Sequence, residues 1–307
     1  MRHVATILGL GILVTLAGCS STRWGFVKNN DRPTTPASSE PPSTAQLVEY
    51  LNNNAGRIQG LRVEELDLTC TQGIKSFGLR GTMVTEKPRN FRLVAKTLGN
   101  PVVDLGSNDQ EFWYWISKGD PYQFYCSYKD LKEGRVNRMP FPFQPEWVME
   151  SMGLGPYGPP EKYKLEYDAD TVKLVEKTTS PQGTPVRKVI VFKRTEVQAP
   201  NAQVTDYLLV DDASGKEICG AHITDVQIDR ATNAIVPKRI ALRWPSEKLT
   251  LALRLDELSL NPQVPRQVFQ RQTMPNIQSF NLARGVIDNT PPPNDFSAVR
   301  PAQGIAP

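Results

Sequence analysis

Residues 249–256 read Leu-Thr-Leu-Ala-Leu-Arg-Leu-Asp. Leu249, Leu251, Leu253 and Leu255 take every second position, and Thr250, Ala252, Arg254 and Asp256 fill the gaps. Successive strand side chains point to opposite faces, so the pattern predicts a strand with one apolar and one solvated side. The run before it is similar. Val236, Ile240, Leu242 and Trp244 alternate with Pro237, Arg239 and Arg243, with Lys238 interrupting the apolar side. Pro245-Ser246-Glu247-Lys248 between them is turn chemistry, and the two runs together predict an antiparallel hairpin.

Upstream, short runs of strand composition recur at turn-sized gaps. They fall at 61–69, 77–85, 90–99, 102–107, 112–117, 123–128, 163–167, 172–177, 186–193, 205–210, 217–229, 235–244 and 248–258. Asn108-Asp109 and the stretch from Asp211 to Lys216 are turn signals. Short loops make neighbours antiparallel, and there is no strand–helix–strand alternation to suggest a parallel sheet. The expectation is a mainly β domain of about 11–13 strands in one large curved antiparallel sheet with few helices. A sheet of that size must curl, close or be covered. In Phe112-Trp113-Tyr114-Trp115-Ile116 neither face is polar. One side is expected on the core and the other on a helix or ligand.

Two helices interrupt the β pattern. Ser43-Thr44-Ala45-Gln46, after Pro42, has the form of a capping box. Leu47, Leu51, Ala55 and Ile58 follow at helical spacing, so an amphipathic helix of about 14 residues should stop near Gly60. Pro145 and Gly153 bracket about two further turns. Val148, Met149 and Met152 make the apolar face there, with Trp147 beside them. So short a helix is stable only when docked. It is expected either to pack on the sheet or to serve as a lid over an apolar groove, where adaptable methionines suit variable shapes.

At the start, Met1-Arg2-His3 precedes 13 uncharged, mostly apolar residues, Val4 to Leu16. As a helix these reach roughly 20 Å, short of a bilayer core of about 30 Å, and the layout is that of a cleaved secretory signal. Leu16-Ala17-Gly18-Cys19 resembles the lipobox of bacterial lipoproteins. That resemblance implies cleavage before Cys19 and a covalent diacylglyceryl and N-acyl lipid on it. Two or three chains anchor stably where one binds only marginally. Ser20, where inner-membrane lipoproteins tend to carry aspartate, implies the outer membrane. The expected organisation is a signal peptide over 1–18, a flexible linker over 19–43, a β domain over 44–287 and a Pro-rich disordered tail over 288–307. The linker gives the domain a reach of roughly 25–30 Å.

The formal charge of +4 becomes +3 when Arg2 leaves with the signal. There is no basic block interleaved with aromatics, so no nucleic-acid partner is expected. Besides Cys19 the chain has Cys70, Cys126 and Cys219, an odd number that allows one bridge and one free thiol without choosing the pair. Their spacing is not that of a zinc site, and they are expected as buried small side chains. His222 is the single histidine left after cleavage, and there is no Gly-x-Ser-x-Gly elbow for it to serve. Gly153-Leu154-Gly155-Pro156-Tyr157-Gly158 has the form Gly-x-Gly-x-x-Gly but runs into Pro159-Pro160, so it reads as a loop. Glu64-Glu65 and Asp211-Asp212 read as solvated strand ends or loops. The expectation is no enzyme, no metal and no dissociable cofactor.

Ile235-Val236-Pro237-Lys238-Arg239-Ile240 leading into Leu249–Leu255 is similar to late strands of the LolA/LolB lipoprotein-carrier superfamily. Gly99-Asn100-Pro101 through Leu105 to Phe112-Trp113-Tyr114 is similar to that family's central strands. The resemblance spans about residues 44–262. It implies an open β half-barrel with helices at its mouth and a concave apolar face that takes acyl chains. On this reading Trp113, Trp115, Leu249, Leu251, Leu253 and Leu255 line a hydrophobic groove, and Trp147, Val148, Met149 and Met152 form its lid. The implied partners are the membrane, through the lipid anchor, and lipoproteins or lipids as cargo, at the outer membrane facing the periplasm. A monomer is expected. This chain is longer than the usual carrier, with additions around 160–215 and a proline-rich tail. The competing class is a structural or protein-interaction lipoprotein of the cell envelope, which needs no internal groove.

Overall fold

The computed structural model describes residues 41–288 apart from 118–120, 137–138, 140–143, 181–182 and 195–202. The signal peptide, Cys19, most of the linker and the tail beyond Asp288 lie outside the described residues. The first helix, α1 (Thr44–Gly56), starts as its capping box dictates: the Ser43 hydroxyl accepts from the Gln46 amide and the Gln46 side chain accepts from the Ser43 amide. It buries Leu47, Val48, Leu51 and Ala55.

From β1 (Gly60–Gln72) the chain meanders outward through β2 (Lys75–Glu86), β3 (Asn90–Thr97), β4 (Asn100–Ser107), β5 (Glu111–Ile116) and β6 (Tyr122–Ser127). It then crosses to the opposite edge through α2 (Tyr128–Lys132), α3 (Pro145–Met149) and a π turn at Glu150–Leu154. From β7 (Tyr163–Tyr167) it meanders back through β8 (Thr171–Thr179), β9 (Pro185–Lys193), β10 (Val204–Asp211), β11 (Glu217–Ile228) and β12 (Ile235–Trp244) to β13 (Leu249–Leu260). The Leu-rich strand β13 pairs with β1, so the two meanders meet at the centre of one sheet. Below, β2–β6 are the first arm and β7–β12 the second.

The sheet is open, with no pairing between its edge strands, β7 on one side and β15 (Val286–Asp288) on the other. It curls all the same. Phe124 and Cys126 of β6 share one core with Val172 and Leu174 of β8 and with the buried face of α1. The architecture is an open β half-barrel plugged by helices. The crossover from β6 to β7 has to pass the concave side, and this is why α3 is buried although it is too short to be stable alone.

Thirteen of the strands lie where alternation and turn signals put them. Two more have no counterpart in that pattern: β14 (Gln278–Asn281) and β15, which make a total of 15 among the described residues. β14 runs parallel to β6, the one parallel pair in an otherwise antiparallel sheet. Gln278-Ser279-Phe280-Asn281 has almost no strand pattern of its own. It is extended because the free edge of β6 offers unpaired backbone groups. Glu64-Glu65 also acquires a role. The register of β1 against β2 slips between Val63 and Leu66, a bulge that keeps both apolar residues inward and both glutamates out.

Candidate functional site

The concave face is built by strand parity. Leu249, Leu251, Leu253 and Leu255 all point into the core, as do Val236, Ile240, Leu242 and Trp244 from β12. Trp147, Val148, Met149 and Met152 of the crossover enter the same core from above, and the Trp147 ring meets Trp244 edge-on at 6.3 Å. Inside the π turn Gly153 has φ +89°, a backbone conformation that L side chains rarely adopt. From the Gly153–Gly158 stretch no helix opens; the chain continues as loop to a 3-10 turn at Pro160–Lys162.

Trp113 and Trp115 lie elsewhere, and their place in the groove is corrected. Phe112 and Tyr114 point into the core, so Trp113 and Trp115 point out of the convex side. There the Trp113 indole donates to Asp104 at 3.3 Å, and the Arg92 guanidinium sits 5.4 Å from its ring. Gly106 on β4 leaves room for that ring, since a Cβ there would come within 2.1 Å of it. Residues 262–288 cross this side as a strap. Arg92 donates to the Gln270 carbonyl at 2.7 Å and Asn108 to the Phe269 carbonyl at 3.1 Å. Under the strap, Arg271 pairs with Glu111 at 3.0 Å, both nearly fully buried, and stacks 3.9 Å from the Tyr125 ring. Burial raises the Glu111 carboxyl above its ordinary pKa, and Arg271 opposes the shift.

Two openings reach the concave interior. The first is a pocket of about 230 Å³ between α1, the π turn and β10–β12, walled by Leu51, Ile223, Val226, Val236 and Pro237. Tyr157 and Tyr207, buried in its wall, share a hydroxyl–hydroxyl hydrogen bond of 2.8 Å. Burial pushes both phenols well up, so they remain neutral. Ile228 also lines this pocket while 52% exposed, which makes its mouth apolar.

The second is a chamber of about 610 Å³ between the two arms. Phe112, Tyr128 and Leu131 form one wall, Val186 and Leu209 the other, with Trp147 of α3 between. Charged groups line it as well. Lys188 points inward on β9 between Val186 and Ile190 and meets Glu150 of the π turn at 2.7 Å. Arg89 lies 3.5 Å from Glu146 and 4.1 Å from the Tyr128 ring centroid. A wider hollow on the outer side of β1–β3 is floored by solvated residues such as Asp67, Arg80 and Lys96.

Lys188, Glu150, Tyr157 and Tyr207 are not singled out by the sequence. Lys188 leaves a trace there: it shares parity with Val186, Ile190 and Phe192 and so has to face inward. Glu150 and the tyrosines leave none.

Other chemistry-bearing residues are dispersed. His222 Nδ1 lies 2.8 Å from Asp206 Oδ1 as a cross-strand pair between β11 and β10. Among the described residues no three His, Cys, Asp or Glu side chains gather as metal ligands. Cys70, Cys126 and Cys219 are all buried and unbridged, so the pairing the sequence leaves open is not made. Burial pushes the thiols of Cys126 and Cys219 up to about 12. Ile74 and Leu98 stand fully exposed in the β1/β2 and β3/β4 hairpins. β1 and β3 are both antiparallel to β2, so these tips project from the same end of the sheet. No helix among the described residues is long and apolar enough to cross a membrane.

An open antiparallel half-barrel with a plugged concave core is thus the class that the fold defines. Three solved structures are similar to it. The first is a domain from Vibrio parahaemolyticus described as a candidate outer-membrane lipoprotein-sorting protein (10% identity, 72% of this chain and 95% of that one, TM-score 0.46). The second is a DUF1329 family protein from Desulfovibrio piger (8% identity, 75% and 98%, TM-score 0.45). The third is a LolA superfamily protein from Nitrosomonas europaea (10% identity, 73% and 97%, TM-score 0.44). No family model matches the chain, and no curated protein matches it in sequence.

Proposed function

We propose that this protein is a lipoprotein of the cell envelope, anchored through Cys19, whose concave face binds an acyl chain in lipid or lipoprotein transfer. The observation that carries the reading is the pocket of about 230 Å³ with apolar walls and a half-exposed Ile228 at its mouth. An acyl chain that leaves a bilayer needs apolar walls in exchange, at about 0.8 kcal/mol per methylene. A pocket opening beside α1 and the π turn provides such walls. Ile74 and Leu98 extend the reading. At one end of the sheet, next to Lys75 and Lys96, they suit contact with an anionic membrane surface. On this reading the anchor holds the domain at the outer membrane, facing the periplasm.

The test is native mass spectrometry of the secreted chain carrying Cys19→Ser, followed by titration with a fluorescent fatty acid. Co-purified lipid that denaturation releases, and saturable uptake of the probe, are expected. A lipid-free protein that takes up no probe overturns the reading and leaves a protein- or peptidoglycan-binding lipoprotein in its place.

A further inference from the structure

The chamber between the arms differs from the apolar pocket in one respect: it carries charge. Its lining holds three cations, Arg89, Lys132 and Lys188, and one carboxylate, Glu146. Glu150, behind Lys188, takes up the Lys188 ammonium at 2.7 Å. Arg89 meets Glu146 through its Nε at 3.5 Å, and its other N–H donors have no hydrogen-bond partner among the described residues. Lys132, in the last turn of α2, is exposed and has no ion-pair partner among the described residues. Glu176, opposite Lys188 across β8 and β9, faces it as well, so Lys188 is fully matched. The surplus positive charge lies at the Arg89–Lys132 end, while Phe112, Trp147 and Leu209 give the interior apolar surface. At about 610 Å³ it lies in the range of sites for small organic ligands.

The geometry points to a single-chain lipid with an anionic head as the ligand of this chamber. The carboxylate or phosphate sits on Lys132 and Arg89, and the chain lies along Phe112, Trp147 and Leu209. An acyl chain alone gains nothing from the cations. A free anion alone gains nothing from the apolar surface. Only an amphiphile uses both, and charge-assisted hydrogen bonds in a partly enclosed site are the stronger kind. This inference rests on the carrier reading and names the class of lipid that the second opening of the concave face takes.

The test compares three ligands of equal chain length on the secreted chain carrying Cys19→Ser: palmitate, hexadecyl phosphate and hexadecanol. Both anions are expected to bind about tenfold tighter than the alcohol, and added salt should erode that preference. Lys132→Glu, at an exposed position, should cost the anions about tenfold and leave hexadecanol unchanged. Arg89→Gln should act in the same direction. The tighter of the two anions tells whether the head is a carboxylate or a phosphate. Equal affinity for all three ligands, unmoved by Lys132→Glu, overturns the headgroup assignment while the carrier reading survives. Binding of none of them overturns the carrier reading itself.

Discussion

The two faces of β5 carry nearly equal loads of aromatic side chains and are covered in different ways. On the convex side Trp113 and Trp115 are buried, and a strap of the chain's own C-terminal residues crosses beside them, held by Arg92 and Asn108. Polar groups meet partners there: Arg271 with Glu111, Arg92 with Asp104, and Tyr125 with Asp288. On the concave side the cover is a crossover of one α-turn and a π turn. It fills the centre but leaves volume beside it, with apolar walls and, at Lys132, a cation without an ion pair among the described residues. A face whose cover satisfies every buried charge has no use for a ligand. A face with empty apolar volume and an unmatched cation at its mouth does. Aromatic content alone does not separate them, because both faces are rich in it.

The largest effect expected of any single change lies on the strap side. Arg271→Ala leaves the Glu111 carboxylate buried without its partner and should cost about 3–5 kcal/mol in urea unfolding. Replacing the pair together, with Arg271→Met and Glu111→Leu, should recover most of that loss. A double variant as unstable as the single one breaks the contrast, since it would mean that the strap depends on something other than the matched charges.

Packing on the same side comes next. Gly106→Ala drives a methyl into the Trp113 ring and should cost roughly 1–3 kcal/mol, measured by the same unfolding curve. The concave side should answer the opposite experiment differently. Val226→Phe adds bulk into the apolar pocket of about 230 Å³ and should change stability by less than about 1 kcal/mol. Its effect belongs on function: fatty-acid uptake should fall by about tenfold. Equal destabilisation by Gly106→Ala and Val226→Phe would mean that the concave volume is not available space.

The smallest effect on stability is expected at the hairpin tips. Leu98→Ser and Ile74→Ser, at fully exposed positions, should stay within about 0.5 kcal/mol of the parent. The affinity of the Cys19→Ser chain for anionic vesicles in co-sedimentation should nevertheless fall by about tenfold or more, because a buried Leu or Ile side chain contributes about 1.5–3 kcal/mol. Unchanged sedimentation would remove these tips from the membrane reading.

Much of the fold is legible in the residues alone. The Leu249–Leu255 alternation, the turns at Asn108 and Asp211, and the Ser43 capping box each reflect forces acting within a few residues, and each stands where the local pattern puts it. Less of the candidate site is legible. Val148, Met149 and Met152 are recognisable because an orphan short helix must dock. The Glu150–Lys188 pair is not, because its members are 38 positions apart and meet only once the crossover passes under β9.

Local pattern in the residues set where thirteen of the strands are, how the first helix begins and which residues alternate along those strands. These are properties of local backbone geometry and side-chain period. Tertiary structure decided which side of a two-faced apolar strand is inside. Parity separates Phe112 and Tyr114 from Trp113 and Trp115, but only the curl of the sheet sends the first pair to the core and the second to the strap. It also made β14 a strand, since the free edge of β6 supplies hydrogen bonds that Gln278–Asn281 could not specify for itself. And it left open volume on the concave side of β5, because a cavity belongs to no residue and exists only between elements already packed.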